Sequence, residues 1–214
     1  MNPLKGRFYT GTDLGKLHDH SVIAIIKKDD ALKLVFMKQF ELGAPFASVI
    51  GYLKAINDRL DSVYANYVDN TGLGAYIVED MQRGGIKNVV GINFTVDSKE
   101  QIATALKESI RTAFCSQCGW MGYIDTVEGE WRTTCPKQCR TKEGNPANLR
   151  PQLHIPFDPE LFHELNIERY ELAKTGKILY SHPDGTHDDR FWALALAVYA
   201  AEQAQPSKTL VRVI

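Results

Sequence analysis

The chain is 214 residues long, 44% hydrophobic and 24% charged, with a net charge of −1. That length supports one sizeable core with room for a small insert, and the composition excludes disordered, fibrous and disulfide-scaffold classes. No apolar run reaches membrane-spanning length, MNPLKGRFYTG lacks a signal-peptide centre, and no global basic field advertises a nucleic-acid partner, so the chain reads as cytoplasmic with any basic patches local.

Gly6 to Leu14, Val22 to Lys28 and Leu32 to Glu41 predict three successive strands joined by the short polar turns GKLHDH and KDDA, a meander. Phe46 to Leu60 carries Val49, Ile50, Leu53, Ile56 and Leu60 at helical spacing, and Ser62 to Asp69 predicts a fourth strand. After NTGLG comes a helix from Ala75 to Arg83, stopped by Gly84–Gly85, then a fifth strand from Val89 to Phe94. Asp97 or Ser98 would cap a helix running to Ala113. The Cys-bearing stretch from Phe114 to Thr141 breaks the pattern. KEGNPANLRP leads back to a short strand at Gln152–Ile155, a helix from Asp158 to Ala173, a strand from Lys177 to Tyr180 and a last helix from His187 to Ala204. The final TLVRVI fits either an added strand or a tail.

Three antiparallel strands followed by strand–helix alternation imply an α/β fold, a mixed sheet flanked by helices. The right-handed crossover rule leaves few topologies, and the ribonuclease H-like arrangement is preferred. It would be formed by residues 1–113 and 142–214, with 114–141 as an inserted module.

In that arrangement three acidic segments converge: Asp13 in TGTDLG, Asp69 in YVDNTGLG and Asp188–Asp189 in GTHDD. Carboxylates gathered at one sheet edge repel unless cations neutralise them, and oxygen-only ligands select Mg²⁺ or Mn²⁺. The pattern therefore points to a two-metal phosphodiester nuclease, with Asp13 as the bridging ligand because the central strand sets it between the others. Each segment also has a bland reading. Asp-x-Gly commonly starts a turn, the Gly-rich turn after Asp69 matches no nucleotide-binding fingerprint, and acids in a first turn complement a helix dipole. Asp19 reads as a turn residue, Glu79 and Asp80 as the solvated face of a helix, and His187 as a turn or cap. After the paired acids, Phe191, Leu194, Ala195 and Val198 form one apolar stripe, and the small alanines permit close helix–sheet packing.

The segments TGTDLGKLHDHSVIAII, YVDNTGLGAYIVEDM, VVGINFTVDSKEQI and TGKILYSHPDGTHDDRFWALALA together resemble the nuclease domain of the large subunit of tailed-virus terminases. The resemblance covers most of the chain outside the cysteine insert. It implies a ribonuclease H-like fold, cleavage of concatemeric double-stranded DNA, and catalytic metals held by Asp13, Asp69 and one or both of Asp188 and Asp189. It also implies host-cell cytoplasm as the location and a packaging ATPase, as domain or subunit, for a partner, with the portal as a further candidate. Two features depart from the family. GxxxxGK[ST] is absent from the sequence, so the chain reads as an excised domain or a separate nuclease subunit, and the cysteine module is extra.

In that module Cys115-x-x-Cys118 and Cys135-x-x-x-Cys139 form two knuckles sixteen residues apart, with WMGYIDTVEGEWRTT reading as a hairpin between them. Clustered cysteines in a cytosolic chain favour a metal over disulfides, and this spacing is that of a zinc ribbon holding one structural Zn²⁺. An iron–sulfur or redox site is the other reading. The ribbon either stabilises itself or offers Trp120, Trp131, Arg132, Lys137 and Arg140 to DNA or a protein partner. Two rivals share parts of this pattern. A junction resolvase or transposase-type nuclease would share the acids, whereas a non-catalytic zinc-ribbon binding module would associate with DNA without hydrolysing it.

Overall fold

The computed structural model describes residues 3–15, 19–73, 75–124, 126–127, 130–174 and 176–203; the C-terminal TLVRVI lies outside them. In chain order come β1 (Leu4–Asp13), β2 (Val22–Lys28), β3 (Leu32–Gln39), α1 (Phe46–Asn57), β4 (Leu60–Asp69), α2 (Ala75–Arg83), β5 (Val89–Ile92) and α3 (Val96–Arg111). Within and around the cysteine stretch lie β6 (Thr112–Phe114), β7 (Met121–Tyr123), β8 (Thr126–Val127), β9 (Glu130–Trp131) and β10 (Arg150–Pro151). β11 (Leu153–His154), α4 (Pro159–Ile167), β12 (Arg169–Leu172), β13 (Ile178–Ser181) and α5 (Asp189–Gln203) complete the chain.

The main sheet has the order β11-β3-β2-β1-β4-β5. β1, β2 and β3 pair antiparallel, and β4 and β5 continue parallel from β1. This is the ribonuclease H-like arrangement the sequence implies. β11 adds a short parallel strand beside β3.

Both faces of the sheet are covered, so β2 reads as an unbroken apolar run, VIAII, rather than alternating. Phe8, Ile23, Ile25 and Val68 face α1 and α2, whereas Tyr9, Val22, Ala24 and Ile26 face α3 and α5. The period of two along β1 sends Gly11 and Asp13 to the α5 side with Tyr9. α5 is buried far beyond the expected stripe: Trp192, Ala193, Leu196, Ala197, Ala200 and Ala201 are buried with the four stripe residues. Its outer side is covered by α3 and α4, and a helix apolar all round is a core helix.

Most boundaries shift by one to three residues from expectation, and two differences have a clear physical cause. α3 is capped at Thr95, two residues before the earlier expected cap Asp97: the Thr95 hydroxyl accepts from the Ser98 amide at 3.1 Å while Ser98 Oγ accepts from the Thr95 amide at 2.8 Å. The expected helix 158–173 stops at Ile167, and Arg169–Leu172 forms a hairpin with β13 instead. Strand–strand pairing there outweighs the modest helical preference of ERYELA, and the expected strand at 177–180 joins this hairpin rather than the main sheet.

Candidate functional site

β1 and β4 lie side by side and parallel, with Thr12 opposite Val68 in register. One step further, Asp13 and Asp69 end their strands as neighbours, at the carboxyl ends where parallel sheets place ligands. α5 then crosses this edge. A Cβ added to Gly11 would lie 2.1 Å from the Ala193 carbonyl oxygen and 2.3 Å from the Ala197 nitrogen, so a glycine is what permits helix and strand to approach this closely.

The start of α5 is fixed from several sides. Glu164, buried on α4, accepts from the backbone amides of Arg190 at 2.7 Å and Phe191 at 3.0 Å, satisfying donors the first helical turn leaves open. Burial pushes its carboxyl up to about 7 against these two donors. Arg190 pairs with Asp158 at 3.0 Å and donates to Gln39 at 2.7 Å. The His20 amide donates to Asp189 at 3.1 Å, tying the β1–β2 loop to the helix start.

Asp13, Asp69, Asp188 and Asp189 therefore line one open cleft of about 590 Å³, together with Asp19, Asp184, Lys99 and Trp192. Each of the four acids has a distinct setting. Asp13 is buried, and its carboxyl is raised well above the ordinary 3.8 by that burial, then by Asp69, Asp189 and Asp188, with Lys99 opposing. Asp69 accepts from the amide of Thr71 at 2.8 Å and from its hydroxyl, and that hydroxyl accepts from the Phe94 amide at 2.7 Å, linking the ends of β4 and β5. Asp188 accepts from the Trp192 indole N–H at 2.7 Å, with His182 Nε2 at 3.6 Å. Asp189 is raised chiefly by burial, opposed by the His20 amide.

Divalent cations suit this arrangement. The donors are carboxylate oxygens, and Asp13 is disfavoured in its charged form by burial and then by the other three. The oxygens do not collapse into one ion-sized cluster: among the described residues, only the four cysteines form a group of possible ligands within 4.8 Å of one another. A pair of ions ~3.5–4 Å apart needs ligands spread over more than one coordination sphere.

Sequence reasoning set Asp19 aside as a turn residue, yet it lines the cleft. Its place six residues after Asp13 was the signal in the sequence, and a Cβ on Gly15 would meet the Asp19 carbonyl at 2.2 Å. Lys99, Asp184 and Trp192 were missed because the cleft they line is assembled from segments far apart in the chain. Glu79 pairs with Arg83 at 3.0 Å on the exposed face of α2, as expected. His187 stands edge-on to His20 and 3.7 Å from Asp189.

The cysteines form a second centre. The amide of Gly119 donates to the Cys115 carbonyl at 2.9 Å and that of Cys115 to the Trp120 carbonyl at 2.8 Å, a knuckle that Gly119 closes at φ +69°. In the other knuckle the Gln138 amide donates to Cys135 at 2.9 Å, with Gln138 at φ +56°. The Cys118 and Cys135 sulfurs lie 3.8 Å apart. Four sulfurs each ~2.3 Å from one tetrahedral zinc would be ~3.8 Å from one another, so the set fits a zinc site. Cys118, burial and Cys135 push the Cys139 thiol up to about 12. The cluster has its own small core of Cys115, Cys135 and Ala147, and its own sheet β10-β6-β7. Trp120 packs half-buried against that core, whereas Lys137 and Arg140 are exposed. The side chain of Trp131 lies outside the described residues.

No protein-family model and no curated protein sequence matches the chain. Solved structures do share its fold. The large terminase nuclease of thermophilic phage G20c matches 95% of this chain and 87% of its own, with a TM-score of 0.65 and 20% identity. The same nuclease with bound magnesium matches 92% of this chain and 82% of its own, with a TM-score of 0.64 and 21% identity, and it is also known with bound cobalt. The large terminase nuclease domain of Thermus phage P74-26 matches 89% of this chain and 77% of its own, with a TM-score of 0.59 and 21% identity. Similarity at this identity establishes the shared fold.

Proposed function

We propose that this chain is a metal-dependent endonuclease that cuts double-stranded DNA, the genome-cutting nuclease of a viral packaging terminase. The observation that carries this reading is the convergence of Asp13, Asp69, Asp188 and Asp189 on one cleft, with Asp13 buried and raised by the other three. The likeness to terminase nucleases, one with bound magnesium, supports it.

Asp13, Asp69, Asp188 and Asp189 would hold two Mg²⁺ or Mn²⁺ ions. When bound, such a pair supplies an activated water for in-line attack and neutralises the departing 3′ oxygen. The protein's part is to hold the ligands in place. Trp192 orients Asp188 through its indole N–H, Thr71 orients Asp69, and the His20 amide orients Asp189. Asp13, on the strand between these elements, would hold metal alongside the other three. The open cleft leaves room for a duplex backbone to reach the acids.

We assign Cys115, Cys118, Cys135 and Cys139 to one structural Zn²⁺ in an inserted ribbon, residues 114–141, within a nuclease domain formed by 1–113 and 142–214. With no GxxxxGK[ST] in its sequence, the chain depends on a packaging ATPase, domain or subunit, for translocation. The ribbon's exposed Lys137 and Arg140 offer that partner, or DNA, a surface. The test is cleavage of linear duplex and of four-way junction DNA with Mn²⁺, with Mg²⁺ and with chelator, by the intact chain and by Asp13→Asn. Metal-dependent duplex cutting abolished by the substitution is expected. A preference for junctions would turn the reading to a resolvase, and DNA binding without hydrolysis would turn it to a binding module.

A further inference from the structure

Lys99 stands among the acids and pairs with none of them. It lies in the fourth position of α3, where a cation opposes the helix dipole, so local helix stability does not account for it. Its side chain lines the cleft that holds Asp13, Asp69 and Asp188. Its charge acts on Asp13 and also on Glu168. Yet among the described residues no carboxylate oxygen comes within 4.0 Å of its ammonium, although other lysines such as Lys177 find one at 2.6 Å. Instead its Nζ sits 4.5 Å from the centroid of the Trp192 ring and 5.4 Å from that of Phe94, two rings whose centroids are 5.0 Å apart. Aromatic faces attract a cation without using up its hydrogen-bond donors.

Trp192 thus does two things at once. Its face carries the ammonium, and its N–H edge holds the carboxylate of Asp188 at 2.7 Å. One rigid indole sets a free cation beside the acid cluster at a fixed offset. Carboxylates left to cations and an ammonium left with open donors are what a backbone phosphate requires, because its non-bridging oxygens need partners on more than one side.

We propose that Lys99 is a phosphate-contacting residue of this cleft, its ammonium donating to a non-bridging oxygen of the DNA strand that enters. The inference rests on the nuclease reading above and adds an anion-binding group to the cation-binding ones.

Lys99→Met keeps the length of the stem against both rings and removes the charge, and Lys99→Arg restores charge. On the whole chain, duplex binding is measured over a salt series with Ca²⁺ in place of the catalytic ion, and cleavage with Mn²⁺. Where binding is too weak to titrate, the salt dependence of KM gives the same slope. Lys99→Met should lower kcat/KM roughly ten- to hundredfold, as expected for loss of one hydrogen bond from a charged donor. It should also flatten the slope of log affinity against log salt by ~0.9, one phosphate contact, with Lys99→Arg returning the slope. Lys99→Met that cleaves as the unaltered chain does, or that loses activity with the salt slope intact, overturns the assignment. Asp13→Asn run alongside separates the two readings: full cleavage by that variant removes the nuclease reading itself, whereas its inactivity beside an unaffected Lys99→Met removes only the role of Lys99.

Discussion

Gly11→Ala tests whether close approach of α5 to β1 is what assembles the acids. The added methyl would sit 2.1 Å from the Ala193 oxygen, 2.3 Å from the Ala197 nitrogen and 2.8 Å from Leu196 Cβ, where ordinary contact begins at 3.4 Å. Two of these atoms are backbone, so rotamer changes cannot relieve the clash, and α5 must retreat by on the order of 1 Å. Overpacking of this kind costs about 1–3 kcal/mol, partly offset by about 0.4–1 kcal/mol from the stiffer unfolded chain. For a domain of this size that corresponds to a loss of roughly 2–10 °C in melting temperature. Activity should fall further than stability. The retreating helix carries Asp188 and Asp189 away from Asp13 and Asp69, and a misplacement of ~1 Å at reacting groups costs on the order of a hundredfold in rate. Thermal melts and Mn²⁺-dependent plasmid cleavage, both well below the melting temperature, check the two effects. A variant with unaltered melting and unaltered rate would refute the close-packing account of the site.

Asp13→Asn and Asp69→Asn should each abolish cleavage while the fold persists, and Asp13→Asn should raise the melting temperature of the metal-free chain by removing the acid most disfavoured in its charged form; melting and cleavage measured on the same preparations check both. The Glu168 carboxyl has both oxygens buried without a hydrogen-bond partner among the described residues, and burial, then Asp188, raises it from 4.5 to about 8. A carboxyl raised on folding contributes stability fully below its ordinary value and loses it as pH rises through the folded one, so between about 4.5 and 8 this group's contribution declines. Glu168→Gln should therefore raise the melting temperature at the upper end of that interval and flatten its pH dependence; parallel profiles for the two proteins would speak against it. Cys118→Ser should lower zinc content below one ion per chain and open residues 114–141 to proteolysis or hydrogen exchange while the main sheet stays protected, because the ribbon has its own small core and can melt locally. A disulfide among these cysteines in reduced, zinc-replete protein would count against the assignment.

Much of the fold was legible because local chemistry and tertiary context agree along most of the chain. β2 and α2 match their expected limits residue for residue. The failures lie where pairing at a distance competes with a local signal. ERYELA has enough helical character to extend α4, but its partner ILYS, beyond a turn, draws it into a hairpin. The stripe on α5 was read as one face because nothing in FWALALAVYA says that α3 and α4 cover the other.

The sequence by itself singled out the candidates for the chemistry: carboxylates ending hydrophobic strands, paired acids opening a helix, and two cysteine knuckles whose spacing suits a tetrahedral set. These are properties of residue type and separation along the chain, which is all a single sequence holds. Only the tertiary structure decided how they meet. It brings β1 and β4 into parallel register, seats α5 against Gly11, and turns Asp19 from a loop residue into part of the cleft. It also sets Lys99 on the faces of Phe94 and Trp192, two residues separated by almost a hundred positions in the chain. Electrostatic and aromatic interactions depend on distance through space, and that distance exists only once the chain has folded.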